Sequence, residues 1–445
     1  MGWCKPGWAL ALFAAVVSAP AVSAQGWDLP SVLGEIVSAQ TEGKLKFGFE
    51  QRVRWESKTG NSFGKDPDAD YALARTRVSL TYQPFKTLRF SAMMQDSRSP
   101  WYGANASSSL RDPADLHEAY MEIAPAGKTG FGMSVGRRML NYGEGRLIGT
   151  PQWSNTSRTY DHARVSWVTP RARFEVLMAS QVKVLIGDFN KPALGDRLWG
   201  TYDAFPNLWK KNLLEVYLLR RDQNRTAGFT GGSKAAGTDR LGLNTLGFRL
   251  AGPLAAGIKY SVEGALQNGM VGPAHHRASA WFSNLSRRWM AGGKPLDASG
   301  EYKFASGSRN PGDTSLSRTF DQLYAANHDR FGHQDLFGWR NIHNLRSLET
   351  FGLTKSLAVN FMYGNFWLAS ARDSLYNGSG KSLARSANGS AGTHVGQETD
   401  VFCTYKYRRL QFGAGYGYLF PGTFLKKTTP GVAPSYAYVF HNYTL

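Results

Sequence analysis

From residue 44 onward, apolar and polar positions alternate with a period of two along one segment after another. In "KLKFGFEQRVRWES", Leu45, Phe47, Phe49, Val53 and Trp55 share one parity, while Lys44, Lys46, Glu50, Arg52, Arg54 and Glu56 share the other. Successive side chains of a strand point to opposite faces, so the pattern predicts a strand that is apolar on one side and charged on the other. "DYALARTRVSLTY" sets Ala72, Ala74, Val78, Leu80 and Tyr82 against Arg75, Arg77, Ser79 and Thr81. "TLRFSAMMQD", "GIKYSVEGALQ", "VGQETDVFCTYKYR" and "RLQFGAGYGYLF" repeat the design. One face fits lipid and the other a wet, mostly cationic interior.

The connections alternate in length. Short ones fall at 83–85, 169–171, 251–257 and 354–356. Long ones fall near 57–70, 97–114, 141–157, 182–196, 222–240, 269–276, 307–340, 371–393 and 420–433. Each long connection capping one hairpin predicts eighteen strands, counting the weak segment "RLWGTYDAF" (197–205). Without it the two chain ends would lie on opposite sides, and single-chain bacterial barrels have even strand numbers. A multi-domain sandwich would need linkers and a solenoid a fixed repeat, and the sequence shows neither. The fold class is therefore all-β, an antiparallel transmembrane β-barrel with long extracellular loops and short periplasmic turns. The last strand, "PSYAYVFHNYTL", is aromatic but ends in Leu445 rather than the usual phenylalanine.

The N-terminal end fixes the compartment. Lys5, the apolar run Ala9–Val17 and the small residues Val22, Ser23 and Ala24 form a secretory signal peptide. The expected organisation is a cleaved signal at 1–24, a short periplasmic segment at 25–43 and the barrel at 44–445, in a Gram-negative outer membrane. Cleavage removes Cys4 and leaves Cys403 alone, which excludes an internal disulfide framework. The formal charge of +19 falls by only one with Lys5. Such an excess favours anionic partners, and export argues against nucleic acid. No run reaches the ~18 apolar residues of a membrane helix.

One stretch resists the alternation. "YGEGRLIGTPQWSNTSRTYDHARVSW" (142–167) crowds Glu144, Arg146, Arg158, Asp161 and Arg164 together with Trp153 and Asn155. Ala163, Val165 and Trp167 resume a lipid-facing parity only at its end. A long loop folded into the barrel mouth accommodates these charges, because it meets water rather than lipid.

With the preceding Gly136 and Arg137, this block resembles the alginate-export family of outer-membrane porins, as does "TFDQLYAANHDRFGHQDLFGWRNIHNLR" (319–346). Glu144 stands where that family commonly has aspartate, and His162 where it has glycine. The resemblance implies an eighteen-stranded, monomeric barrel whose arginine-rich constriction passes an anionic, alginate-like polysaccharide from periplasm to exterior. It makes such a polymer, acidic solutes, outer-membrane lipid and periplasmic export proteins the partners. Candidate substrate contacts are Lys46, Arg52, Arg54, Arg75, Arg77, Arg89, Arg137, Arg146, Arg158, Asp161, Arg164, Arg346 and Lys406. Arginine keeps its charge in confined sites and pairs bidentately with carboxylates, while passage of a polymer needs many weak sites rather than one strong one. The competing role for each lumen arginine is to brace the wall through ion pairs with acids such as Glu50, Asp96, Glu118 and Asp161.

A porin taking up small acidic solutes or sugar acids is the alternative. Asp321, His328, Asp329, His333 and Asp335 match no metal-ligand spacing, so loop packing is the expectation there, aided by Phe320, Tyr324, Phe331, Phe337 and Trp339. No G-x-S-x-G or H-E-x-x-H motif occurs, and neither an enzymatic activity nor a cofactor is expected.

Overall fold

The computed structural model describes residues 41–102, 106–224 and 240–445, with Pro30, Ser31, Gly34, Glu35 and Ser38 of a helical segment before them. The signal peptide and most of the loop expected at 222–240 lie outside the described residues. Among those described, no helix is long and apolar enough to cross a membrane; strands form the wall instead.

The strands follow in chain order: β1 (Leu45–Thr59), β2 (Ala69–Phe85), β3 (Leu88–Arg98), β4 (Asp112–Ile123), β5 (Gly130–Arg138), β6 (Tyr160–Val168) and β7 (Arg173–Lys183). Next come β8 (Lys191–Phe205), β9 (Leu213–Asn224), β10 (Arg240–Pro253), β11 (Ile258–Val271), β12 (Ala274–Ala291), β13 (Lys294–Ala305) and β14 (Leu316–Ser317). The last are β15 (Ile342–Gly352), β16 (Leu357–Trp367), β17 (Leu375–Tyr376), β18 (Ser382–Ala384), β19 (His394–Tyr407), β20 (Leu410–Pro421) and β21 (Ser435–Thr444). Leaving aside the short β14, β17 and β18, eighteen strands each pair antiparallel with the next, and β1 pairs with β21 to close the barrel. Closure leaves no unpaired edge, which the hydrocarbon interior of a membrane requires.

Alternation sorts the faces. Leu80, Phe90, Val165, Trp167, Phe174, Val176, Met178, Leu218, Leu246, Leu266, Leu285 and Leu345 are exposed on the outer wall. Arg52, Arg54, Arg75, Arg77, His162, Glu175, Arg221 and Glu263 are buried on the inner one. The segment at 197–205 is a full wall strand extended back to Lys191, paired with both β7 and β9.

Two expectations change. The connection expected at 269–276 is only Gly272 and Pro273, because β11 and β12 run on to Val271 and from Ala274. Gly272 takes φ 57° there, a left-handed conformation glycine adopts without steric cost. The interior is also not uniformly wet. Leu177, Leu198, Tyr217, Leu219 and Phe282 point inward and join one buried apolar cluster with Leu140, Tyr142, Leu147, Ile148, Phe320, Tyr324, Phe337 and Trp339. The second group belongs to two connections, 139–159 and 306–341; the first and the 319–341 part of the second fold into the barrel, while Leu316–Ser317 pairs with β12 at the rim. Strands such as "LLEVYLLRR" are apolar on both parities because lipid covers one face and these loops cover the other.

Candidate functional site

The two infolded connections hold each other. Tyr324 N–H donates to the Leu147 carbonyl (2.8 Å), Gly149 N–H to Tyr324 (3.0 Å) and Ala326 N–H to Gly145 (2.9 Å). They form an isolated parallel bridge between Ile148 and Tyr324. Buried backbone must find partners, and each loop supplies some of the other's. Arg158 adds donations to the carbonyls of Gly149 (3.2 Å), Tyr324 (2.6 Å) and Ala325 (3.2 Å).

The wall arginines of β1 and β2 grip the first loop. Arg52 donates to the carbonyls of Gln152 (2.9 Å), Trp153 (3.0 Å) and Ser154 (3.2 Å), and Arg54 donates to that of Trp153 (2.7 Å). Arg75 donates to the Gln152 and Ser154 carbonyls (3.0 and 2.9 Å) and to Glu50 (2.6 and 3.0 Å). Arg77 reaches the side-chain oxygens of Gln95 (2.8 Å) and Gln152 (2.9 Å). The Arg54 guanidinium lies 3.9 Å from the Trp153 ring centroid, within cation–π range. Asn155 donates to the carbonyls of Ala74, Arg98 and Leu110. These four arginines are almost fully buried. They brace a loop, and their donors point at loop carbonyls, at Gln95 and Gln152 and at the carboxylates of Glu50 and Glu56 rather than into open lumen.

The second loop is anchored mainly through Asp321, which pairs with Arg340 (2.9 Å) and Arg221 (3.1 Å). Burial works against its charge, but the two guanidiniums outweigh it and hold the carboxyl at about 2. Gln267 bonds both the carbonyl and the N–H of Asp321 (2.7 and 2.9 Å). Phe320, Tyr324, Phe331, Phe337 and Trp339 are all buried, as expected of wall anchors. His328 stacks on Trp153 at 4.5 Å and bonds Asp335 (2.7 Å), while His333 stacks on Phe402 at 4.4 Å. Among the described residues no His, Cys, Asp and Glu group has the arrangement of a metal site.

Glu144, near the tip of the first loop, meets Arg146 (3.1 Å), Arg249 (3.3 Å) and the Ser261 hydroxyl (2.5 Å). Burial opposes its charge; Arg146, the Ser261 hydroxyl and Arg249 outweigh this and hold the carboxyl below its usual range. Arg146 itself packs 3.2 Å from the Phe282 ring centroid. Arg346 is spanned between Glu301 (3.2 Å) and Asp329 (3.3 Å).

Below the loops, towards the rim of short turns, lies the more accessible charge cluster. Arg89, Glu122, Ser134 and Arg164 sit side by side on β3, β4, β5 and β6. Glu122 receives Arg164 (3.1 Å), Arg138 (3.3 Å) and Arg89 together. Three guanidiniums thus share one carboxylate, each with 21–39 % of its side chain exposed. Arg173 stands beside them, 37 % exposed, 3.9 Å from buried Glu175. Lys46 and Lys406 are exposed at the same end, on the inward parity of β1 and β19.

Two expected contacts lie elsewhere. Arg137 and Asp161 share the parity of exposed Val135 and Val165, so they face outward, paired at 2.7 and 3.1 Å on the outer wall. The lumen residue of that pair of arginines is Arg138, in register with Ser134 and Gly136. Counting parity from Val135 identifies it; the family block alone points to Arg137. Arg173, Arg221 and Arg249 also belong to the interior set, and their inward parity on β7, β9 and β10 was the available signal.

A family model described as alginate export matches residues 43–439. Solved structures share the architecture at low identity. The chain is similar to Pseudomonas aeruginosa OccK2 (OpdF) in complex with glucuronate, with TM-score 0.60, 9 % identity and coverage of 90 % of this chain and 98 % of that one. It is similar to Pseudomonas aeruginosa OpdK with vanillate (TM-score 0.59, 8 % identity, 90 % and 98 %). It is similar also to a BenF-like porin from Pseudomonas fluorescens Pf-5 (0.61, 8 %, 90 % and 98 %). No protein of curated function matches the sequence. A closed eighteen-stranded wall, two loops clasped within it and a family match over nearly the whole strand region make this chain a member of the alginate export family, an outer-membrane channel of Gram-negative type.

Proposed function

We propose that the barrel is an anion-selective channel that passes an alginate-like uronic-acid polysaccharide from periplasm to exterior. The observation that carries this is the half-buried cluster of Arg89, Arg138 and Arg164 around Glu122, with Arg173 beside it and Glu175 as the second carboxylate, so that four guanidiniums face two carboxylates. Fixed cations in a pore lower the barrier for a carboxylate chain. The partial neutralisation by Glu122 moderates the attraction, so that a polymer is drawn in without being held. Lys46 and Lys406 extend the positive field to the periplasmic mouth. Arg52, Arg54, Arg75 and Arg77 act on substrate only indirectly, by fixing the loop that sets the width of the passage.

Planar-bilayer recordings under a salt gradient test the reading. Anion-selective reversal potentials and block by oligouronates support it, and cation selectivity overturns it. A second reading, a channel for monomeric sugar acids or other small acidic solutes, draws support from the two loops filling so much of the interior. The neighbour crystallised with glucuronate points the same way. Liposome swelling with monomeric against polymeric uronates separates the two.

A further inference from the structure

The outer wall carries an arginine sector that neither channel reading uses. Across β8 to β12, registered partners form horizontal rows. Thr201, Leu218, Leu246, Leu266 and Ser279 make one outward row, mostly exposed and apolar. The next row, two residues nearer the rim of long loops, is Trp199, Arg220, Asn244, Asn268 and Arg277. Two residues of strand span roughly 7 Å, so the outward surface changes from hydrocarbon-like to polar within that height.

The middle of the polar row is hydrogen-bonded. Arg220 donates to Asn244 (3.1 Å), and Asn244 donates to Asn268 (2.9 Å). Asp222, just above, accepts from Arg220 (2.7 and 2.9 Å) and from the Trp199 indole (3.1 Å). Beyond it stand Arg197, Arg240, Arg309 and Arg318, all exposed. Arg197, Arg220 and Arg240 line one groove of about 480 Å³, and Arg277, Arg309 and Arg318 line a second of about 870 Å³. Six arginines thus face two aspartates, Asp222 and Asp313. Among the described residues Arg197, Arg240, Arg277, Arg309 and Arg318 have no carboxylate within ion-pair distance. The outward arginines of β3 and β5 differ. Arg98 is matched by Asp96 at 2.6 Å, and Arg137 by Asp161 at 2.7 Å.

The geometry points to a docking surface for the phosphorylated glycolipid of the outer leaflet. Its phosphates sit in the two arginine grooves, and its acyl chains lie on the apolar row beneath. Guanidinium groups bind phosphate oxygens bidentately, and clustered basic residues at the edge of an apolar belt recognise anionic headgroups. A free anion would use the arginines alone, whereas this surface presents arginines and hydrocarbon contact in one vertical line.

The test uses the full-length barrel in detergent and native mass spectrometry with bis-phosphorylated lipid A, its dephosphorylated form, and the variant R240Q/R277Q/R318Q. Heat-modifiable migration on gels checks that each barrel is folded. At about fivefold per arginine, the triple variant binds the phosphorylated lipid about a hundredfold more weakly, and the dephosphorylated lipid binds the unmodified barrel comparably weakly. Arg98→Gln, in a charge-matched sector, leaves binding unchanged. Equal binding of the two lipids, or no loss in the triple variant, overturns the inference. Displacement of the lipid by millimolar inorganic phosphate would make the grooves simple anion sites and overturns it also. Displacement by oligouronate would assign them to the polysaccharide instead.

Discussion

Replacing Asp321 by asparagine preserves shape and removes one charge from the anchor of the second infolded loop. Arg221 retains Asp196 at 3.2 Å, but Arg340 loses the one carboxylate it pairs with among the described residues. Two estimates bound the cost. Removing one partner of a buried pair costs roughly 3–5 kcal/mol. The depression of the Asp321 carboxyl from 3.8 to about 2 corresponds to about 2 kcal/mol at 1.36 kcal/mol per unit. At 1.4 kcal/mol per tenfold, a loss of about 2–5 kcal/mol raises the undocked fraction of the loop by between about thirty-fold and a few thousand-fold. The strand ladder is untouched, so the barrel still forms. Single-channel recordings of Asp321→Asn should show larger or fluctuating conductance, and limited proteolysis should cut within 306–341. The unmodified protein should move the same way in acid. A depressed carboxyl stabilises the docked loop above its free value near pH 4, and that contribution is lost as pH falls through about 2. Conductance and cleavage identical to the unmodified barrel, with heat-modifiability intact, would refute the claim that this pair holds the loop.

Three further outcomes follow from the geometry. Arg89→Ser, Arg138→Ser and Arg164→Ser together should lower anion selectivity; at about 1 kcal/mol per charge in water-like surroundings, each removes about a fivefold enrichment of anions, read as reversal potential under a salt gradient. Arg137→Ser should leave reversal potentials unchanged, since its pair with Asp161 lies on the outer wall, and a selectivity change would return Arg137 to the lumen. Gly332→Ala should loosen the second loop, because Gly332 has φ 103° and a Cβ there would lie 2.4 Å from the Glu398 carboxyl; proteolytic cleavage near 332 should rise while the folded barrel persists.

Much of the wall is legible in the sequence. The alternation in β1, β2 and β3 placed Arg52, Arg54, Arg75, Arg77 and Arg89 on the inner face, and the structure agrees. The aromatic residues of 319–346 were read as anchors and are buried. The family block points to Arg137 as a lumen residue, whereas its parity with Val135 turns it to the outer wall. The connection at 269–276 was overestimated because its glycine and proline mark a turn without marking its length.

The sequence by itself determined the strands, their two faces and the excess of positive charge, because a period of two is a local property of extended backbone. It could not decide which inward arginines meet solute. That depended on residues far along the chain: the carbonyls of Gln152, Trp153 and Ser154 take up Arg52, Arg54 and Arg75, while Arg89, Arg138 and Arg164 share Glu122, with Glu175 at 3.7 Å from Arg164 as the further carboxylate. A buried guanidinium is placed by whichever oxygen the folded chain brings to it, and only the closed barrel with its loops inside brings those oxygens into reach.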